Sequence, residues 1–230
     1  MKTLLIIIIS CASFTITIAQ LQKSTEDSAL VEVVVKDFND KVRVHDRVLF
    51  EGQKTKVIIQ GTTDEFGKFR LLLPEGDTYN IAMRGLGENQ KYNTFEIPKT
   101  NGRYALSTIL IKYEPSKSFT LKNLQFESNK STIKIESESI LAELIELLQL
   151  KPTMTIELSG HTDGIGNEET NMLLSKERAE SVKKYLFQKG KIKSDRITTK
   201  GYGESMPIAE NETEAGRQLN RRTVVRILSE

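Results

Sequence analysis

A serine, a histidine and an aspartate occupy alternate positions in the stretch SGHTDGIGNEETNMLLSKERA, which covers residues 159–179. Ser159, His161 and Asp163 are the residue types of a nucleophilic triad. Their spacing argues against catalysis. Alternate residues of an extended strand have Cα atoms about 6.6 Å apart, whereas a nucleophile and its base need about 2.6–3.2 Å between heavy atoms. We therefore predict a binding site and no enzyme.

The same stretch offers too few ligands for a metal ion. A zinc site needs about three or four converging ligands. The only other histidine, His45, lies in a different part of the chain. No metal and no cofactor are predicted.

The stretch is better suited to holding a charged ligand. Asp163 follows the carboxyl end of a predicted strand, at the edge of an α/β sheet where ligands bind. In the helix that follows, Asn171, Leu174 and Arg178 lie along one line. Because long helical side chains lean toward the helix N-terminus, Arg178 leans toward Asp163. The carboxylate suits an ammonium group and the guanidinium suits a carboxylate, so the pair suits a zwitterion. The alternative is an internal Asp163–Arg178 ion pair that ties the loop to the helix.

The elements around this stretch alternate between strands and helices. An apolar stripe predicts a helix over 136–150, and MTIELSG is a strand. Asn167 caps a second helix that stops at Gly190, and RITTKGYG and RTVVRILS are two more strands. SFTLKNLQFES, before the first helix, is strand-like with a bulge. The order β-α-β-α-β-β predicts an α+β or α/β sandwich, with one mixed sheet and helices on one face. The second helix should bury one stripe, formed by Ser175, Ala179, Val182 and Leu186.

Residues 30–112 alternate between apolar and polar positions as strands do. KVRVHDRVLF is one such alternating run, and two turns that end in Gly67 and Gly76 punctuate the region. Phe69, Leu71 and Leu73 are predicted to share one face of a strand, and Tyr79, Ile81 and Met83 one face of the next. No helical period appears, so this region is predicted to be a small antiparallel β-sandwich.

The first residues, MKTLLIIIISCASFTITIAQ, have the charge, apolar run and small residues of a secretory signal peptide cleaved after Ala19. Two alternatives remain open, namely lipidation at Cys11 and retention of the segment as an anchor. The 33 Lys and Arg residues nearly balance the 31 Asp and Glu residues. Such a chain lacks the excess of basic residues that would attract a nucleic acid, so no nucleic-acid partner is predicted.

A change of composition at KYEPSKS marks a linker between the two halves. We therefore divide the chain into a signal peptide (1–19), a β-sandwich domain (20–112), a linker (113–117) and a C-terminal domain (118–230).

Three separated blocks identify the C-terminal half by resemblance. LSGHTDGIGNEETNMLLSKERAESVKKYL, RITTKGYGESMPIA and GRQLNRRTVVRI occur in this order. Together they resemble the OmpA-like peptidoglycan-binding domain of outer-membrane proteins, peptidoglycan-associated lipoproteins and flagellar stator subunits. Thr223 is a departure, because an apolar residue is common there. In the other half, TDEFGKFRLLLPEGDTYNI more loosely resembles the carboxypeptidase-regulatory-like, transthyretin-like β-sandwich domains, from which no site can be transferred.

The resemblance implies non-covalent binding of peptidoglycan through the diaminopimelate of its stem peptide. Asp163 and Arg178 match the positions that hold its amino and carboxylate groups. Asn171, Asn129 and Arg221 match further contact positions, although Asn129 could instead cap a turn and Arg221 could brace the strand start. The protein is then expected in the periplasm, associated with the outer membrane, with other envelope proteins as possible partners of its β-sandwich. A scaffold with a degenerate groove, a membrane-tethered stator-like subunit and a wall hydrolase are the alternatives.

Overall fold

The computed structural model describes residue 25, residues 27–101 and residues 106–230. The predicted signal peptide and its cleavage or lipidation positions lie outside the described residues. Within them, no helix is both long and apolar enough to cross a membrane.

The N-terminal half is rich in β-structure. Its strands are β1 (Ser28–Lys36), β2 (Arg47–Gly52), β3 (Ile58–Thr62), β4 (Lys68–Pro74), β5 (Asp77–Met83), β6 (Gln90–Ile97) and β7 (Ser107–Lys112). They form one sheet in the order β4-β1-β7 and another in the order β3-β2-β5-β6. The prediction of purely antiparallel strands is wrong at one place, because β7 pairs in parallel with β1. The chain between these two strands is long enough to bring β7 back in the same direction.

Buried side chains from both sheets form one apolar cluster in this half. Leu71 and Leu73 of β4 contribute to it, as do Tyr79, Ile81 and Met83 of β5, which confirms the predicted alternation. Phe69 is only partly buried at its edge. The run KVRVHDRVLF, in contrast, is extended only from Arg47 onward, because His45 adopts a left-handed φ of 58° that interrupts a strand.

The C-terminal half contains strands and helices in alternation. Its elements are β8 (Ser118–Thr120), α1 (Glu138–Leu150), β9 (Thr155–Gly160), α2 (Glu168–Gly190), β10 (Ile197–Gly201), α3 (Glu214–Asn220) and β11 (Thr223–Ser229). The sheet order is β10-β9-β11-β8. Strand β9 is parallel to β10 and antiparallel to β11, so the predicted mixed sheet is confirmed.

Two features of this half differ from the prediction. The long first strand shrinks to Ser118–Thr120, because Asn123 turns the chain with a φ of 67° and Phe126 keeps only an isolated bridge to Ile133. An additional short helix, α3, precedes the last strand. The side chain of Thr213 caps it by accepting a hydrogen bond from the Gly216 amide.

Helix α2 begins and ends where the sequence predicts. The Asn167 side chain accepts hydrogen bonds from the amides of Glu169 and Thr170, and the helix ends at Gly190. Its predicted stripe is buried, and Asn171 is buried on the same face. The helix lies very close to the sheet. A Cβ atom built on Gly160 would come within 2.1 Å of the Ser175 carbonyl oxygen.

The two faces of the sheet differ in chemistry. Ile156 and Leu158 of β9 belong to the apolar cluster formed with α1 and α2. Glu157, between them, points to the other face, where it pairs with Lys200 at 2.8 Å and Arg226 at 3.2 Å. The apolar side therefore lies against the helices, as predicted for a sheet with helices on one face.

Ion pairs connect the two halves of the chain. Lys151, after α1, pairs with the buried Asp46, and Arg43 joins Glu230 at 2.8 Å. Tyr113, the first residue of the predicted linker, belongs to the N-terminal apolar cluster. The position of the domain boundary stays a prediction.

The close approach of β9 and α2 makes Gly160→Ala a severe substitution. We expect the free energy of unfolding to fall by about 2–4 kcal/mol, because the new methyl group overlaps a backbone carbonyl that cannot move without the helix. Urea denaturation measures this. Gly164→Ala is the matched control, since the atoms nearest to its Cβ would belong to the side chain of Asn211, at 3.1 Å or more. Equal losses in both variants would contradict the proposed packing.

Candidate functional site

Asp163 follows the end of β9, where the two residues before it are held by backbone hydrogen bonds to neighbouring segments on both sides. The amide of His161 donates to the Arg222 carbonyl at 2.9 Å, and the amide of Thr162 donates to the Gly203 carbonyl at 2.9 Å. These bonds extend the order of the strand beyond Gly160. Asp163 itself is 9% exposed. Its location therefore agrees with the prediction, at the strand end that leads into α2.

The carboxylate of Asp163 has an internal cationic partner, which is Arg221. Nη1 of Arg221 donates to Oδ2 of Asp163 at 2.6 Å, while the Ile165 amide donates to Oδ1 at 3.2 Å. The other end of this guanidinium donates from Nη2 to Glu214 of α3 at 2.6 Å and to Gln218. Burial alone would lower the pKa of Arg221, but the hydrogen bonds that it donates to Glu214 and Asp163 raise that pKa above its usual value. The negative charge of Asp163 is thus balanced by the guanidinium of Arg221.

Arg178 makes no ion pair within the described residues, so the alternative of an internal Asp163–Arg178 pair is wrong. Its Nε donates to the Lys130 carbonyl at 3.1 Å, and its guanidinium carbon lies 5.1 Å from the ring centroid of Phe126. Burial lowers the pKa of Arg178, and the charge of Asp163 only partly opposes that effect. The guanidinium is therefore held in place by a carbonyl and a ring, with both Nη nitrogens left for another acceptor.

Asn171 holds the loop that carries Asp163. Its side-chain amide donates to the Ile165 carbonyl at 3.1 Å, to the Asp163 carbonyl at 3.4 Å and to Glu204 Oε2 at 2.6 Å. Its side chain is buried, with 6% of the residue exposed. This geometry favours a bracing role, and a direct ligand contact by Asn171 stays a prediction.

Asn129 occupies an exposed turn beside Arg178. Its φ of 53° is left-handed, which asparagine tolerates better than most residues. The turn closes through a 3.0 Å bond from the Lys130 amide to the Glu127 carbonyl. Because the carbonyl of Lys130 accepts from Arg178, Asn129 supports the site at least indirectly.

A pocket of about 260 Å³ lies where these elements meet. Arg178 and Arg221 line it, whereas Asp163 does not and lies beyond the guanidinium of Arg221. The remaining lining residues are Leu124, Gln125, Phe126, Lys134, His161, Gln218, Arg222 and Thr223. The structure therefore brings Arg178 and Arg221 to one pocket and places Asp163, Asn171 and Asn129 around it. Thr223, the departure noted in the sequence, is 3% exposed.

His161 is a buried, uncharged member of this pocket that sequence reasoning left without a role. Its ring stacks on Tyr202 with centroids 5.3 Å apart and an interplanar angle of 13°. Burial, together with the charge of Arg222, lowers the pKa of His161 to about 4. Its Nδ1 atom is buried and has no hydrogen-bond partner among the described residues. The sequence placed His161 close to the site, two residues before Asp163. It could not show that His161 is buried, because that burial depends on contacts distant in sequence.

The pocket is positively charged. Lys134, Arg178, Arg221 and Arg222 line it, and no carboxylate side chain does. Across the described parts of the chain, no group of three or more His, Cys, Asp or Glu residues is arranged to hold a metal ion. The arrangement is chemically suited to binding an anionic group.

Comparisons with known proteins cover this part of the chain. Residues 125–221 match the model of the OmpA family. Outer membrane porin F of Pseudomonas fluorescens is 42% identical over 100 residues, which are 44% of this chain and 30% of that protein. Outer membrane protein A of Bordetella avium is 44% identical over 103 residues, which are 45% of this chain and 53% of that protein. The chain thus spans about half or less of the length of these curated relatives.

A solved structure is similar to the same half. The crystal structure of the peptidoglycan-associated lipoprotein from Burkholderia pseudomallei is 24% identical, with a TM-score of 0.42. The match covers 49% of this chain and 90% of that chain. From the family match, the prediction of an OmpA-like domain is confirmed for residues 125–221. The type of the preceding β-rich region stays a prediction.

The low pKa of His161 makes stability depend on pH. The folded pKa of about 4 lies below the usual value near 6.5, so only the unfolded chain binds this proton between those values. The contribution of neutral His161 to the free energy of unfolding is therefore complete above about pH 6.5 and is lost as the pH falls toward 4. The free energy of unfolding should fall by up to about 1.4 kcal/mol per pH unit in this window.

Urea denaturation between pH 7.5 and 5 measures that slope, above the range in which most carboxylates titrate. His161→Asn should flatten it, whatever its effect on stability at pH 7.5. His45→Asn is the control, because His45 is exposed, and it should keep the slope. A slope that is unchanged in His161→Asn would contradict the assignment.

Asn171→Leu should destabilise the protein by about 1–3 kcal/mol, because it leaves buried acceptors in the Asp163 loop without a donor. Thermal or urea unfolding measures the loss, and amide hydrogen exchange at residues 163–167 should increase. Met172→Ala, an exposed neighbour on α2, serves as the control. If Asn171→Leu kept full stability and only weakened ligand binding, the bracing role would be refuted.

Proposed function

We propose that the C-terminal half binds peptidoglycan non-covalently, through the diaminopimelate of its stem peptide, and so anchors or links the cell envelope. The observation that carries this proposal is the guanidinium of Arg178, which lines the pocket without an ionic partner among the described residues. Phe126 and the carbonyl of Lys130 fix its orientation before any ligand arrives. A guanidinium presented in this way is suited to a carboxylate held by two parallel hydrogen bonds.

The ammonium group of the ligand is assigned to Asp163. Arg221 already occupies one oxygen of this carboxylate, but a carboxylate has about four lone-pair sites and can accept from more than one donor. The ammonium would therefore bind beside Arg221, and Arg221 would contact both the ligand and Asp163. Asn171 holds the loop that carries Asp163, and Asn129 lies in the turn whose Lys130 carbonyl accepts a hydrogen bond from Arg178.

A binding role without catalysis fits the chemistry of the pocket. His161 has a low pKa and its ring stacks on Tyr202, while Ser159 donates its hydroxyl hydrogen bond to Glu157 on the other face of the sheet. The suggested nucleophile and base are therefore not paired with each other. A wall hydrolase is the less favoured alternative, and no cofactor enters the proposal.

The envelope location rests on the relatives. The names of porin F, outer membrane protein A and the probable lipoprotein YiaD of Escherichia coli place those proteins in the outer membrane or among lipoproteins. We propose a periplasmic, outer-membrane-associated protein, secreted by a signal peptide over 1–19. Residues 20–112 would form an all-β sandwich of the carboxypeptidase-regulatory-like type, which the apolar cluster shared by the two sheets supports. Residues 113–117 would link it to the wall-binding domain over 118–230.

Co-sedimentation with purified sacculi tests the proposal. Arg178→Ala should lower the affinity at least about tenfold, because a ligand carboxylate loses a charged, two-pronged donor. Asp163→Asn should have an effect of similar size through the ammonium group. Both variants should remain in the supernatant under conditions that sediment the unaltered protein.

Lys184→Ala is the matched control, since it removes an exposed cation from the same helix outside the pocket. Circular dichroism must show that each variant is folded. Full binding by folded Arg178→Ala would contradict the proposal and favour a scaffold with a degenerate groove. Release of soluble muropeptides by the unaltered protein would favour the hydrolase.

A further inference from the structure

The positive charge of the pocket is only partly compensated. Arg221 has two carboxylate partners, Asp163 and Glu214. Arg178, Arg222 and Lys134 have none within ion-pair distance in the part of the chain that the structure describes. Within the described residues, three cations therefore line one pocket with no carboxylate at ion-pair distance.

The two guanidinium groups that lack an ion-pair partner among the described residues are half-buried. Burial lowers the pKa of Arg178 and also that of Arg222. His161, which packs beside them, has a low pKa and remains neutral near pH 7. A ligand anion would compensate these half-buried charges, and their attraction for it is stronger than on a fully exposed surface.

The hydrogen-bonding capacity of the two guanidinium groups exceeds what one carboxylate can use. Each guanidinium has five N–H groups. Toward the residues that the structure describes, Arg178 donates only from its Nε, and Arg222 donates only to two carbonyls, those of Asn220 at 3.3 Å and Met206 at 3.0 Å. The N–H groups left over outnumber the roughly four lone-pair sites of a single carboxylate. The two arginines also come from different parts of the fold, since Arg178 lies in α2 and Arg222 lies just before β11.

We propose that the pocket binds two carboxylates of one ligand, the first at Arg178 and the second at Arg222 with Lys134. This inference rests on the proposed function and specifies its ligand. The preferred ligand is a stem peptide with a free carboxylate near diaminopimelate in addition to that of diaminopimelate itself. Amidation of this second carboxyl group removes its charge and weakens binding, so the site distinguishes amidated from unamidated cell walls.

The second carboxylate can come from the residue before diaminopimelate or from the carboxyl terminus of the peptide. Three synthetic stem peptides separate these sources. One is unmodified, one is amidated at the glutamate α-carboxyl group, and one is amidated at the carboxyl terminus. Isothermal titration calorimetry with the full chain gives the dissociation constant of each.

We expect one of the two amidations to weaken binding to the unaltered protein by about tenfold or more, as for the loss of a charge-assisted hydrogen bond. In Arg222→Gln the unmodified peptide should bind more weakly, and the same amidation should cost little further affinity. Arg226→Gln is the matched control. It lies on β11, which begins directly after Arg222 in the chain, but pairs with Glu157 on the other face of the sheet, and it should keep the full preference.

Lys134→Gln provides a second test, because Lys134 is exposed and its replacement should leave the fold intact. It should reduce the preference for the unamidated peptide by a smaller factor. Equal affinity of the unaltered protein for all three peptides would overturn the two-carboxylate inference and leave the proposed function intact. Failure of the unmodified peptide and of sacculi to bind would instead refute the proposed function.

Discussion

The hydrogen-bonded ion pair between Asp163 and Arg221 determines how the site is arranged. A carboxylate that is 9% exposed at the end of a strand would be costly without a cation, and Arg221 supplies one at 2.6 Å. Since Arg221 satisfies Asp163, Arg178 is not drawn into an internal pair. It instead lies against Phe126, with its Nη nitrogens directed to no protein acceptor among the described residues. One arginine stabilises the loop, and the other is left for a ligand.

The rest of the C-terminal half holds these two arginines in position. Close packing between Gly160 of β9 and Ser175 of α2 fixes the helix that carries Arg178. Arg221 follows α3, where Glu214 and Gln218 bind the other end of its guanidinium. Asn220, at the end of α3, is fully buried, and its Oδ1 accepts hydrogen bonds from the amides of Ile208 and Ala209. The site therefore depends on backbone packing on one side and on a short, capped helix on the other.

Local patterns predicted the parts of this arrangement that are encoded locally. Three predictions are confirmed, namely the cap at Asn167, the buried stripe of α2 and the strand that leads to Asp163. They succeeded because capping and periodicity involve residues that are neighbours in sequence. The partner of Asp163 was missed. Residue 221 is 58 positions away, and nothing in local spacing distinguishes it from Arg178 as an ion-pair partner. Helix α3, the short β8 and the parallel pairing of β7 with β1 escaped prediction for the same reason, since tertiary contacts decide them.

Nuclear magnetic resonance of the arginine side chains can separate the roles of Arg178 and Arg221, because it observes each guanidinium during a titration with diaminopimelate. We expect the Nη signals of Arg178 to shift saturably, and rotation about its Cζ–Nη bonds to become slow, because a carboxylate binds them. The signals of Arg221 should show its bond to Asp163 both before and after the titration. Arg178 signals that stay unchanged at a high concentration of diaminopimelate would show that this guanidinium does not hold the ligand.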